Sequence, residues 1–163
     1  YKVFLMEVAK AVIFKNNKYL FQLRDDDPKI SYPNYWSFFG GEIEPGETPW
    51  QALQREVEEE LEWRPRGGTF LFHWINTENP CRVHFFAVPF TGSRKELILN
   101  EGQSYSWFTL NELKHMDSVV PDFELVNKLS KLCKDEVQTY GLGYKSNIDS
   151  GLILKIDENR NRS

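Results

Sequence analysis

Apolar and polar positions along the chain begin with a strand-like pattern and later turn helical. Phe4–Phe14 is rich in Val, Ile and Phe and reaches the turn signal Asn16-Asn17, after which Tyr19–Leu23 resumes the apolar run, so the segment predicts a hairpin. Arg24–Asn34 (RDDDPKISYPN) is polar and proline-punctuated and predicts a loop. The aromatic run Tyr35–Phe39 then predicts a short strand ending at Gly40-Gly41. From Thr48 the period becomes helical: threonine at the N-cap, Pro49 at the first helical position and Gln51 completing a capping box predict a helix to about Leu61. Beyond Trp63–Gly68, strands are expected at Thr69–Ile75 and Arg82–Pro89 around the turn-rich Asn76–Pro80, with a shorter one at Glu96–Leu99. After Ser104–Phe108 the pattern is helical at Leu110–His115 and at Asp122–Lys134, where Leu125, Leu129 and Leu132 recur at helical spacing. From Asp135 the chain is polar and glycine-punctuated, and it contains no internal repeat or low-complexity tract.

The 163 residues suffice for one domain with a sizeable core. Residues 1–134 are expected to form it. The tail 135–163 is expected to pack on the domain or at an oligomer interface, an arrangement that allows a homodimer. A net charge of -4 without a basic run argues against binding a nucleic-acid polymer. No apolar run approaches the roughly 20 residues that span a bilayer, and Tyr1–Leu5 lacks the order of a secretion signal. The expectation is therefore a soluble, cytoplasmic protein, and its opening on Tyr1 leaves room for a preceding segment. Cys81 and Cys133 are too few and too far apart for a metal knuckle.

The candidate chemistry lies in GGEIEPGETPWQALQREVEEELEW, residues 40–63. On a helix Glu56, Glu59 and Glu60 share one face, opposite the apolar stripe Trp50, Leu53, Val57 and Leu61. A solvated acidic face is the ordinary explanation for such a run. Crowded like charges nevertheless destabilise a helix unless a cation neutralises them, and oxygen-only ligands suit Mg²⁺ or Mn²⁺.

Gly41, five intervening residues, Glu47, seven more, and then Arg55-Glu56-Val57-Glu58-Glu59-Glu60 resemble the signature of the Nudix hydrolases. These identities at fixed offsets would coincide by chance about once in 10⁷ start positions. The resemblance implies an α+β fold, an α/β/α sandwich in which helices flank a mixed sheet. It also implies Mg²⁺- or Mn²⁺-dependent hydrolysis of a nucleoside diphosphate linked to another moiety, by water attack at phosphorus. By the same resemblance, the Gly40 carbonyl and the carboxylates of Glu56, Glu59 and Glu60 hold metal or act as base. Arg55 orients a neighbouring carboxylate, and Glu47, with Gly41, organises the loop before the helix. Glu101 in NEGQSYSW resembles the family's later-loop carboxylate, ranking second to Glu56 as base. Glu62 stands where the family has glycine, which bears on backbone geometry and removes no ligand.

Substrate selection is expected from groups outside this box. Arg24, Tyr35, Trp36, Phe38 and Asp122 are the candidates, with Phe38 stacking a base, more readily a purine, and Asp122 hydrogen-bonding it. The competing explanations are core filling for Phe38, helix capping for Asp122 and pairing with Asp25–Asp27 for Arg24. His73 and His84 are expected to meet across the strands as a packing pair. Two rival functions remain from other classes: a catalytically silent ligand-sensing domain, and a glycosyl hydrolase that attacks sugar carbon.

Overall fold

The computed structural model describes residues 5–76 and 80–124. β1 (Met6–Lys15) and β2 (Lys18–Leu23) form the expected hairpin, with Asn16 and Asn17 both at positive φ in the turn. Asparagine tolerates that conformation better than most residues. β3 (Trp36–Ser37) pairs with β2, and β4 (Phe39–Glu42) pairs with β1. The aromatic run is thus two short strands that change partner at Phe38, and the glycine pair lies inside β4 rather than ending a strand. α1 spans Pro49–Leu61 and has both halves of its capping box. β5 (Thr69–Asn76) and β6 (Cys81–Pro89) are antiparallel, and His73 faces His84 in their register with the rings 5.8 Å apart. β7 (Ser104–Thr109) pairs with β2, and α2 (Leu110–Lys114) follows it directly.

The sheet runs β3-β2-β1-β6-β5, with β4 also on β1 and β7 also on β2. β1 and β6 are parallel, so the sheet is mixed. Alternation along β1 divides the core. Ala9, Ala11 and Ile13 join α1 residues Leu53, Val57 and Leu61 on one face. On the other, Val12 packs with Phe38, Phe85, Leu113 of α2 and Phe123. Helical layers on both faces give the expected α/β/α arrangement.

Glu96–Leu99 is not a strand. A 3₁₀ turn at Arg94–Glu96 leads to buried Leu97, after which the backbone N–H groups of Ile98 and Asn100 donate to the carbonyls of Leu61 (3.2 Å) and Glu60 (2.8 Å). This loop satisfies carbonyls that the end of a helix leaves without partners. Asp122–Glu124 begins a helical turn; the remainder of the expected Asp122–Lys134 helix, Cys133 and the 135–163 tail lie outside the described residues.

Candidate active site

A glycine pair in β4 lies between β1 and the acidic helix. A Cβ at Gly41 would run into the Glu56 carboxylate, and one at Gly40, whose φ is 138°, would run into the Ala9 carbonyl. The backbone requires glycine at Gly40, where β4 runs close along β1, while at Gly41 a side chain would displace the Glu56 carboxylate. The Gly40 N–H donates to Glu60 Oε1 (3.3 Å), and Gln22 Nε2 donates to Glu60 Oε2 (3.3 Å). Glu60 is only 2% exposed, and burial, opposed chiefly by the charge of Lys10, pushes its carboxyl up to about 8. Glu56 is half-buried and also raised, first by burial, against the lowering effect of Arg55. Glu59 is exposed.

Arg55 organises the group. Its Nε and Nη2 donate to the two oxygens of Glu47 (2.8 and 2.9 Å), Nη1 donates to Glu56 Oε1 (2.9 Å), and Nη2 also reaches the Glu42 carbonyl (3.0 Å). The Glu44 N–H adds a third donor to Glu47 (2.9 Å). Arg55 first, and then this N–H, hold the Glu47 carboxyl down to about 2. A bidentate arginine–carboxylate pair of this kind fixes geometry as well as charge. The loop before α1 is thereby tied to the carboxylate face.

Glu101 is exposed, and its charge acts on both Glu56 and Glu60. Asn100 places it: the Asn100 side chain donates to the Glu59 carbonyl (3.0 Å) beside the backbone bond to Glu60. Among the described residues, no three Asp, Glu, His or Cys side chains converge closely enough to hold an ion in this arrangement, because Glu56 turns to Arg55 and Glu60 to Gln22 and Gly40. The donor chemistry still fits a hard divalent cation. It is oxygen-only, and both carboxyl groups are raised by burial and by the charge of Glu101, with Glu56 raising Glu60 further.

Across the glycine pair lies a cavity of about 310 Å³, on the sheet face away from α1. Gly40 and Gly41 form part of its wall, with Val8, Val83 and Val120 among its apolar lining. Arg24 and Asp122 also line it, so the structure brings them together there. Arg24 Nε donates to the Ser31 carbonyl (2.7 Å), and no ion pair joins it to Asp25–Asp27 among the described residues. Asp122 is delivered by a stitch between β3 and the preceding segment: Trp36 N–H to the Ser118 carbonyl (2.7 Å) and Val120 N–H to the Trp36 carbonyl (3.0 Å). Burial raises its carboxyl, and Lys10 opposes that rise. Phe38 borders the cavity but is 2% exposed, with its ring 4.7 Å from Phe21 and 5.8 Å from Phe85. Trp36 meets Phe108 edge-on, and Tyr35 packs on Tyr32 at a tilt. Sequence reasoning passed over Lys10, Gln22, Ser37 and Asn100. Gln22 and Ser37 are polar residues buried in strands, and the only signal in the sequence was a polar residue within an apolar run.

An arginine-clamped acidic helix packed on a glycine pair, within a mixed sheet between helical layers, is the arrangement of a Nudix fold. The NUDIX domain profile matches residues 5–129, and the chain belongs to the Nudix hydrolase family, enzymes that hydrolyse acid anhydrides. It is similar to the 8-oxo-dGTP diphosphatase of Buchnera aphidicola subsp. Schizaphis graminum, at 25% identity over 125 residues, covering 77% of this chain and 92% of that relative. It is also similar to nucleoside triphosphatase NudI of Enterobacter sp. (strain 638), at 42% identity over 118 residues, covering 65% of this chain and 83% of the relative. Among solved structures, the MutT protein from Methanosarcina mazei Go1 shares the fold with a TM-score of 0.69 at 18% identity, over 82% of this chain and 99% of that one. No described helix is long and apolar enough to cross a membrane.

Proposed function

We propose that this enzyme hydrolyses a nucleoside diphosphate derivative with Mg²⁺ or Mn²⁺, by attack of water at phosphorus. One observation carries the reading: Glu56 and Glu60 pack against the same two glycines that wall the cavity, so a nucleoside in the cavity would present its phosphates to the carboxylates. The names of the relatives, which act on 8-oxo-dGTP and on nucleoside triphosphates, support this substrate class.

Gly40, Glu56, Glu59 and Glu60 would hold the metal, which when bound neutralises diphosphate oxygens and acidifies the attacking water. The remaining work falls to the chain. Arg55 occupies Glu56 Oε1 and leaves Oε2 to take the proton from water, a role suited to a carboxylate whose affinity for protons is raised by burial. Glu101 is the second candidate base. The Arg55–Glu47 clamp keeps Glu56 oriented, and Arg24 and Asp122 hold the nucleoside end, with Phe38 as floor. The test is a phosphate-release screen over nucleoside triphosphates, dinucleotides and nucleotide sugars in ¹⁸O-water. Expected is label on a phosphorus product and loss of activity in EDTA. Undiminished hydrolysis in EDTA, or label on a sugar carbon, overturns the reading.

A further inference from the structure

The arc of chain that carries Glu101 is fastened at both ends. Before it, Asn100 donates from its backbone and its side chain to the carbonyls of Glu60 and Glu59 at the end of α1. After it, Gln103 joins a different part of the molecule. Its N–H donates to the Leu23 carbonyl (2.8 Å), and its Nε2 donates both to the Arg24 carbonyl and to Asn34 Oδ1 (2.7 Å each). Glu101 and Gly102 lie between the two fastenings. Gly102 has φ 88°, and a Cβ there would stand 3.0 Å from Gln22 Oε1 and from the Leu23 carbonyl, so glycine lets the arc lie close on β2.

Arg24 and Asn34 are the two ends of the loop whose Arg24, Ser31 and Tyr32 line the cavity. That loop is knitted to itself by Arg24 Nε on the Ser31 carbonyl, Asn34 Nδ2 on Asp26 Oδ1 (2.7 Å) and the Asn34 N–H on the Asp25 carbonyl (3.3 Å). The Gln103 amide therefore spans from the cavity loop to the Glu101 arc. Both of its partners accept, so its amino group must face them and the side chain has one orientation. Gln103 is exposed, and water could replace either bond at little cost in stability. Water could not hold the arc at a fixed distance from the loop. Resting on the nucleotide reading above, we propose that Gln103 is a positioning residue for hydrolysis: by tying the Arg24–Asn34 loop to the arc, it sets the Glu101 carboxylate against the phosphates of a nucleotide whose nucleoside end that loop holds.

Gln103→Met keeps the length of the side chain and removes its donors. With the nucleotide that the screen above finds to be turned over fastest, kcat should fall about tenfold or more while KM changes by less than about threefold, as expected when a reacting group is misplaced. The melting temperature should move by less than about 5 °C, because the lost bonds are exposed. Glu101→Gln supplies the control: on that background Gln103→Met should lower kcat by less than about twofold, since the carboxylate it positions is already gone. Gln103→Ala serves the same purpose if the methionine variant does not fold. An unchanged kcat in the single variant, or a fall as large on the Glu101→Gln background as on the wild type, overturns the proposal while leaving nucleotide hydrolysis standing. If no nucleotide is hydrolysed, the functional reading fails. The tie itself is then read by amide hydrogen exchange, where Gln103→Met should quicken exchange at Asn34 and Tyr35 by about threefold or more, and unchanged exchange overturns it too.

Discussion

At the scale of single residues, Glu62 departs from the family pattern and carries its conformational cost openly. It caps α1 at φ 52° and ψ 30°, the left-handed region that favours glycine. Glu62→Gly should therefore raise stability by about 1 kcal/mol in chemical denaturation and leave the rate unchanged. A destabilised variant would mean that the glutamate side chain supports the loop. Glu59 and Glu60 differ in exposure yet are assigned the same task. Changing either to Gln should slow hydrolysis on the order of 10³-fold with the fold intact by circular dichroism, since a neutral amide is a poor Mg²⁺ ligand. Losses below about tenfold for both would place the metal elsewhere. Asp122 gives a pH signature. Its folded carboxyl is raised by burial, so its share of stability is fully present below the ordinary aspartate value and is lost as pH rises through the elevated one. The advantage of Asp122→Asn in melting temperature should accordingly grow as pH rises above about 4. A constant difference would contradict the burial argument.

At the scale of elements, α1 and its following loop act as one part. Asn100 closes the end of the helix with both its backbone and its side chain, and the next residue is Glu101. Asn100→Ala should cost about 1 kcal/mol for the lost side-chain bond and lower kcat more than it alters KM, because Glu101 loses its mooring. A stability loss with kcat untouched would remove Glu101 from the chemistry. α1 itself was legible in the sequence because its signals are local: Thr48, Pro49 and Gln51 are neighbours, and Leu53, Val57 and Leu61 repeat at helical spacing. The loop was not legible. Leu97-Ile98-Leu99 has the composition of a strand, and only the terminal carbonyls of α1, distant in sequence, divert its N–H groups. Gly40 and Gly41 look like a strand breaker in sequence, yet in the fold they continue a strand at a point of close approach. The acidic half of the site could be read from spacing on one helix. The cavity could not, because Lys10, Arg24 and Asp122 come from three separate segments.

At the scale of the molecule, β1 is the hub: it pairs antiparallel with β2 and β4, and parallel with β6 from Met6–Cys81 to Phe14–Pro89. Glu7 and Arg82, paired at 3.2 Å across that seam, are 75 positions apart in the chain. A seam between such distant segments has a consequence for manufacture. Translation at about 5–20 residues per second leaves the β6-facing edge of β1 waiting for about 4–15 s before its partner is made. Through that interval the emerging chain carries an open, apolar strand edge of the kind that invites pairing with other chains. Ribosome-held chains arrested ahead of Cys81 should therefore be cut by protease within β1, whereas chains extended past α2 and clear of the exit tunnel should resist. Early protection would show that the hairpin with β2 and the pairing with β4 shelter the strand on their own.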